Sequence, residues 1–418
     1  MVAKLFTRAA ARLSEMELFL RLIVVLVIIA VLAGWLWSTV PVLRPLPQPT
    51  GQYAVGVQTF QFADQKRAET FSDNSSDKRT LMANIFYPVD SSAGLEKYPY
   101  LGKKKPHFEK FLADYYHLPL WISKLLLSNT QTHTYINAPL SSKSEKWPII
   151  IFSHGLLGLP SDFDMVFFEN LASYGYIVVA VDHPYFNMLT LYPDGKVVSS
   201  QKLNEQFLAM RPDQQKEFQN RSIEIYKADI RSVIDHLSLI SRDPKSPHDP
   251  KSQDSKSIFY KRLDLDRVGV MGHSAGGTVA IELCRADSRC KAAVNLDGWY
   301  DQAIGQEPIV QPLLLMFGSK SIEVTEPTAE YLKRKELTRE KYYEREEAIE
   351  AHKKALCSSP NCAMIIIPGA KHGDFGDPLE LTWRHRLCGA SQTYKIIAEI
   401  NRHVTAFFEK YLASSKHV

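Results

Sequence analysis

A serine set among small residues offers the first chemistry in this 418-residue chain. Gly272-His273-Ser274-Ala275-Gly276-Gly277 follows the apolar run Val268-Gly269-Val270-Met271 and leads into a segment with Ala and Leu at helical spacing. This is G-x-S-x-G in the strand–turn–helix setting that gives the motif its meaning. A turn that tight leaves no room for side chains at Gly272 and Gly276. It lifts the hydroxyl clear of the sheet and sets it at a helix N-terminus, where backbone N–H groups favour developing negative charge. Ser274 is therefore the expected nucleophile, with the N–H of Ala275 as one donor to an oxyanion.

A serine hydroxyl is a weak nucleophile and needs a base, itself oriented by an acid. A doubly wound sheet gathers its chemistry in loops beyond the carboxyl ends of the strands. Downstream of Ser274 stand His352, His372, His385, His403 and, in the tail, His417. Only His372 closely follows an apolar run, in Met364-Ile365-Ile366-Ile367-Pro368-Gly369-Ala370-Lys371-His372-Gly373, so it is the expected base. His352 lies in a highly charged segment, and His385 and His403 read as helix-face residues. The acid stays open on pattern alone. Asp297 ends the run 292–296, Glu323 and Glu326 follow the next, and Asp374 is too near His372 in sequence to orient it. A second oxyanion donor is expected from Ser153-His154-Gly155-Leu156-Leu157-Gly158, where Gly155 lets the backbone turn and present the Leu156 N–H. His154 reads as a hydrogen-bonding residue of that loop, because a base ahead of the nucleophile breaks the order Ser, acid, His.

These residues need a scaffold. Short apolar runs at 81–87, 148–152, 176–181, 267–271, 292–296, 313–317 and 364–367 alternate with helical patterns. Several are apolar at every position, as strands are when both faces of a parallel sheet are covered. Ile223, Tyr226, Ile230, Val233, Ile234 and Leu237 recur at helical spacing over 222–240, and a closing helix is expected over 394–412. The fold class is α/β: a mostly parallel central sheet covered by helices, the α/β-hydrolase arrangement, preceded by one N-terminal transmembrane helix. Segment 241–257, rich in proline and charge, reads as a surface loop. Segment 330–354, dominated by Lys, Arg and Glu, reads as a solvent-exposed helical insertion spanning about 320–358.

The N-terminus has a different character. Residues 22–40 carry no charge, and an α-helix of that length nearly spans a hydrocarbon core of about 30 Å. Lys4, Arg8, Arg12 and Arg21 precede the run, while Trp35 and Trp37 sit near its far end, where indoles favour the interface. The expected organisation is a cytoplasmic segment 1–21, a signal anchor 22–40, a proline-rich spacer 41–50 and a catalytic domain 51–418 outside the cytoplasm. Val31-Leu32-Ala33 before Gly34 also resembles a processing site, which would release a secreted protein. The apolar run continuing past that point favours the anchor. Cys284 with Cys290 and Cys357 with Cys362 are closely spaced pairs, each able to close a short loop in an oxidising compartment, and Cys388 stands apart. The other reading is five free thiols. No cysteine has zinc-finger spacing, no metal or other cofactor is expected, and a net charge of +4 is too small and scattered to indicate nucleic acid.

At these motifs the chain resembles the plasma-type platelet-activating factor acetylhydrolases, phospholipases of the α/β-hydrolase fold. Phe152-Ser153-His154-Gly155-Leu156 is similar to the family's oxyanion loop, and Gly272-His273-Ser274-Ala275-Gly276-Gly277 to its elbow. Leu296-Asp297-Gly298-Trp299 is similar to its acid segment, and His372 with Phe375 to its histidine loop. The resemblance covers roughly residues 51–411, with Thr50-Gly51 and Ile85-Phe86-Tyr87-Pro88 as further matches. It implies Asp297 rather than Glu323 as the acid, and a lipid-like ester substrate with a short or oxidised sn-2 acyl chain, cleaved without calcium. Ala275, where animal enzymes carry a larger residue, the charged insertion and the N-terminal run are departures from the family. Leu118, Leu120, Trp121, Ile122, Leu125, Leu126 and Leu127, with Lys124 among them, crowd into 118–127, where the family has interface-binding helices. This segment either dips into a membrane surface or packs on the core. A general carboxylesterase or polyester hydrolase is the neighbouring reading. An inactive scaffold binding lipid or a partner is the reading from another class.

Overall fold

A computed structural model describes residues 2–39, 42–43, 46–115, 117–128, 130–245, 257–298, 304–305, 309–377, 379–380 and 390–412. The chain begins with helix α1 (Val2–Thr39), short strand β1 (Val42–Leu43), and the long strands β2 (Ala54–Ala68) and β3 (Lys78–Val89). Helices α2 (Lys105–Tyr115) and α3 (Leu120–Leu127) precede β4 (Thr134–Ile136), β5 (Trp147–Ser153), α4 (Met165–Ser173) and β6 (Ile177–Asp182). A small ribbon, β7 (Thr190–Leu191) and β8 (Val197–Val198), leads to α5 (Gln201–Ala209) and α6 (Pro212–Arg242). Then come β9 (Leu263–His273), α7 (Ala275–Ala286), β10 (Cys290–Leu296) and β11 (Leu313–Gly318). The chain closes with α8 (Ala329–Lys335), α9 (Arg339–Leu356), β12 (Cys362–Ile367), β13 (Leu379–Glu380) and α10 (Ala390–Leu412).

The nine-stranded sheet has the order β12-β11-β10-β9-β5-β6-β3-β2-β4. From β12 through β6 every neighbouring pair is parallel, and β3 joins both β6 and β2 antiparallel. Side chains alternate faces along a strand. Ile149 and Ile151 of β5 enter one apolar core with α6 and α7, while Ile150 and Phe152 enter another with α4 and α10. Two cores on two faces explain why the central strands read as unbroken apolar runs.

All seven expected strands lie at the expected places, six of them longer by one to six residues and the one expected over 176–181 displaced by one, to Ile177–Asp182. Strand β2 is an addition: from Gln58 to Phe62 its residues alternate between buried and exposed, so no apolar run marks it. The helix expected over 222–240 starts earlier, at Pro212, and α10 buries Ile397, Ile400, Val404 and Phe408 as its spacing implies. The charged insertion is two helices rather than one. Glu336 takes a left-handed conformation that ends α8, and the Thr338 hydroxyl accepts from the Lys341 N–H to open α9. Nor is it wholly exposed, because Tyr342, Ile349 and Leu356 of α9 are buried. The loop centred on 246–256, Trp299, His385, Cys388 and His417 lie outside the described residues.

Within α1, Met16–Trp35 is long and apolar enough to cross a membrane, with a mean hydropathy of 2.8 and none of it buried. The chain meets the sheet domain soon afterwards. Leu46 is in the core, its carbonyl lies 3.1 Å from His133 Nε2, and Thr50 donates to Asn170.

Candidate active site

Strand β9 ends at His273, and Ser274 then turns with φ 57° and ψ −123° before α7 begins. A non-glycine residue adopts that conformation only when its surroundings enforce it. The Ser274 N–H donates to Leu296 O of β10 at 2.9 Å, fixing the turn to its neighbouring strand. A Cβ on Gly272 would come within 2.2 Å of the Gly276 backbone, and one on Gly276 within 1.9 Å of Ser153 O. Only glycine lets the elbow close and lie against the end of β5. Ala275 opens the helix, so its N–H has no acceptor within the helix.

Asp297 follows β10 in a left-handed conformation, φ 53°, with its N–H bonded to Met316 O of β11. Its Oδ1 accepts from the Gly318 N–H at 2.8 Å, and its Oδ2 lies 2.7 Å from His372 Nδ1. Burial pushes this carboxyl upward, but hydrogen bonds from His372, Gly318 and Ser321 outweigh it and hold the group below the usual carboxylate range. Glu323 and Glu326 sit elsewhere: they are exposed and pair with Lys320 at 2.8 Å and Arg339 at 2.9 Å.

His372 opens a single helical turn after β12, and its side chain stays 53% exposed, accessible to a ligand. Asp374 caps this turn by accepting from the Lys371 N–H at 2.7 Å, so it serves the loop rather than the imidazole. His273 Nε2 donates to the His372 carbonyl at 3.0 Å. Burial lowers His273 to about 3, so it remains a neutral donor. The loop is nailed down by buried Phe375 and by Asp377, which accepts from the Val166 N–H and the Tyr100 hydroxyl, each at 2.8 Å. Burial pushes Asp377 up to about 7.

The loop after β5 brings Gly155 beside Ser274, where a Cβ would stand 3.2 Å from Ser274 Cβ. His154 is buried, its Nδ1 2.7 Å from Gly155 O and its Nε2 accepting from the His183 N–H at 3.0 Å. Behind it, His183 bridges Ser153 Oγ at 3.0 Å and Asp229 at 2.9 Å, and Asp229 pairs with Arg79 at 2.6 Å. Sequence reading passed over His183, Asp229, Arg79, His273 and Asp377. For the first three no local signal exists, since they come from three distant elements. His273 and Asp377 adjoin motifs already singled out, and that proximity was the available clue.

Disulfides join Cys284 to Cys290 and Cys357 to Cys362, tying α7 to the strand before Asp297 and α9 to the strand before His372. Among the described residues, no group of three or more His, Cys, Asp or Glu side chains is placed to hold a metal ion.

The chain has relatives. A family model described as platelet-activating factor acetylhydrolase, isoform II, matches residues 42–413. A platelet-activating factor acetylhydrolase of Cavia porcellus is 27% identical over 311 residues, 70% of this chain and 64% of its own length. One of Canis lupus familiaris is 22% identical over 395 residues, 89% of this chain and 78% of its own. This chain therefore spans just under two thirds of the first relative's length. Among solved structures, a ferulic acid esterase from Streptomyces cinnamoneus matches with a TM-score of 0.59 at 22% identity. That match covers 88% of this chain and 93% of the esterase, a likeness of fold.

Proposed function

The chain belongs to the platelet-activating factor acetylhydrolase, isoform II, family, and from that premise we propose that it is a serine-dependent carboxylic ester hydrolase acting on phospholipid-like esters. The curated relatives' names point to an acetyl-sized acyl group, so short or oxidised sn-2 chains are the substrate class. The observation that carries the reading is the bond of 2.7 Å between His372 Nδ1 and Asp297, set beside a strained Ser274 at a helix N-terminus.

In this reading Ser274 Oγ attacks the ester carbonyl and passes its proton to His372 Nε2. Asp297 keeps the proton on Nδ1 and stabilises the imidazolium that forms. The N–H groups of Leu156 and Ala275 receive the oxyanion. His372 returns its proton to the departing alcohol, and water, activated by the same base, releases the acid and restores Ser274. No metal or other cofactor enters this scheme.

Membrane attachment is proposed through α1 as a signal anchor, with the catalytic domain on the extracytoplasmic side. Helix α3 supports a lipid surface as a second contact. Leu127 and Ser123 face the protein, while Trp121 and Leu125 are 66% and 61% exposed beside Lys124. Ser274→Ala tests the whole proposal. It removes one buried-edge hydroxyl, so the fold should persist while ester turnover falls by about a million-fold. A variant retaining a tenth of wild-type turnover ends the serine-hydrolase reading.

A further inference from the structure

The peptide joining Gly155 to Leu156 is held from one side. Its carbonyl is 2.7 Å from His154 Nδ1 and 3.4 Å from the Tyr226 hydroxyl. In a planar trans peptide the C=O and N–H point in opposite directions. Clamping the Gly155 carbonyl toward the buried rings of His154 and Tyr226 therefore turns the Leu156 N–H the other way. The next N–H is already committed: Leu157, at φ 57°, donates to Phe186 O at 2.7 Å. Leu156 thus carries an uncommitted donor of the loop, next to Gly155, which itself lies against Ser274.

The clamp works only if the proton of His154 is on Nδ1. The fold decides this, because the His183 main-chain N–H donates to His154 Nε2 at 3.0 Å and makes that nitrogen the acceptor. Burial and the neighbouring His183 lower His154 to about 3, so the ring stays neutral and keeps this tautomer. His183 is held in turn. Asp229 accepts from its Nδ1 at 2.9 Å, and Ser153 Oγ lies 3.0 Å from its Nε2. Asp229 is fixed by Arg79 at 2.6 Å, and Arg79 also reaches Glu69 at 2.9 Å. Ser153, His183 and Asp229 have the composition of a second Ser–His–Asp chain, but all three are fully buried. No substrate reaches them, and their order makes them a brace behind the loop.

We propose that His154 is a positioning residue for the oxyanion hole, aiming the Leu156 N–H at the reacting carbonyl by clamping the Gly155 carbonyl. The proposal deepens, and rests on, the assignment of Ser274 as nucleophile.

Two substitutions of equal size test it. In His154→Asn the side-chain NH₂ replaces Nδ1–H and can still donate to Gly155 O, whereas His154→Leu has no donor. With a soluble short-chain p-nitrophenyl ester, the leucine variant should lose on the order of 10²–10³ in kcat, the cost of a misdirected oxyanion donor, with KM changed less than about threefold. A trifluoromethyl ketone, whose serine adduct carries an oxyanion, should bind the leucine variant more weakly by a similar factor. The asparagine variant should stay within about tenfold of wild type in both measurements. If the leucine variant does not fold, His154→Gln takes its place: its end group still meets the His183 N–H but leaves Gly155 O unclamped, so the same losses are expected. Active sites are counted by phosphonate titration. Equal behaviour of the asparagine and leucine variants overturns the proposal, as does a loss confined to the number of active sites. A Ser274→Ala enzyme that still turns over would sink the hydrolase reading itself. An inert Ser274→Ala enzyme beside a fully active leucine variant would sink only the role of His154.

Discussion

Asp297→Asn is predicted to disable the site through the geometry around a single oxygen. The carboxylate uses both oxygens, Oδ1 for the Gly318 N–H at 2.8 Å and Oδ2 for His372 Nδ1 at 2.7 Å. An amide has one oxygen. If it stays with Gly318, the NH₂ faces His372 and drives the imidazole proton to Nε2, where it can no longer take the serine proton. If the amide flips, the Gly318 N–H meets another donor, and leaving such a buried group unsatisfied costs about 1–3 kcal/mol. The flipped form also gives the imidazolium no negative charge. Both routes fail, and a comparable change in a serine protease lowers kcat by about 10⁴. At 1.36 kcal/mol per decade this is about 5.4 kcal/mol of transition-state stabilisation. The assay is kcat on a soluble short-chain ester from pH 6 to 10, with the melting temperature measured alongside. Glu323→Gln is the control and should stay within about twofold, since an exposed pair such as Glu323 with Lys320 is worth 0–1 kcal/mol. A folded Asp297→Asn enzyme within tenfold of wild type, or a Glu323→Gln enzyme that loses activity instead, refutes the reasoning.

Two further outcomes are expected. Asp377 is raised to about 7 in the fold, against about 4 when unfolded. Its contribution to stability is therefore full below pH about 4 and lost as pH rises through about 7, a span of up to about 4 kcal/mol. Asp377→Asn should flatten the fall in melting temperature between pH 5 and 8, and an unchanged pH profile would refute the assignment. Replacing Trp121 and Leu125 by Ser should weaken hydrolysis of vesicle-borne substrate on the order of a hundred-fold, since each large apolar side chain is worth roughly 1.5–3 kcal/mol on burial. Soluble-ester activity and melting temperature should hold, and equal losses on both substrates with lower stability would show that these side chains pack on the protein.

Much of this molecule is written locally. The runs at 148–152 and 176–181 announce strands covered on both faces, and 268–277 announces a strand, a tight turn and a helix in ten residues. His372 is legible because an apolar run stops just before it. Strand β2 is not, because alternate exposure erases the run that would mark it. The break between α8 and α9 is hidden for a different reason: the highly charged sequence carries helical propensity throughout, and the left-handed Glu336 gives no compositional sign.

The candidate acid shows where local information stops. Asp297 and Glu323 both follow apolar strands, and spacing alone favours Asp297 only slightly, where family resemblance favours it clearly. In the fold the distinction is physical. Asp297 leaves β10 at φ 53°, which swings its carboxylate between Gly318 and His372, while Glu323 lies on the surface beside Lys320. The brace behind the oxyanion loop is further still from any motif. Arg79, Ser153, His183 and Asp229 come from β3, the end of β5, the turn after β6 and the middle of α6. By itself, the sequence determined most of the elements and singled out Ser274 and His372 as candidates, because periodicity and turn chemistry act over a few residues. Only the tertiary structure decided the geometry around the acid and the brace, because strand order brings together groups up to 150 residues apart, and buried polar groups so assembled must satisfy one another.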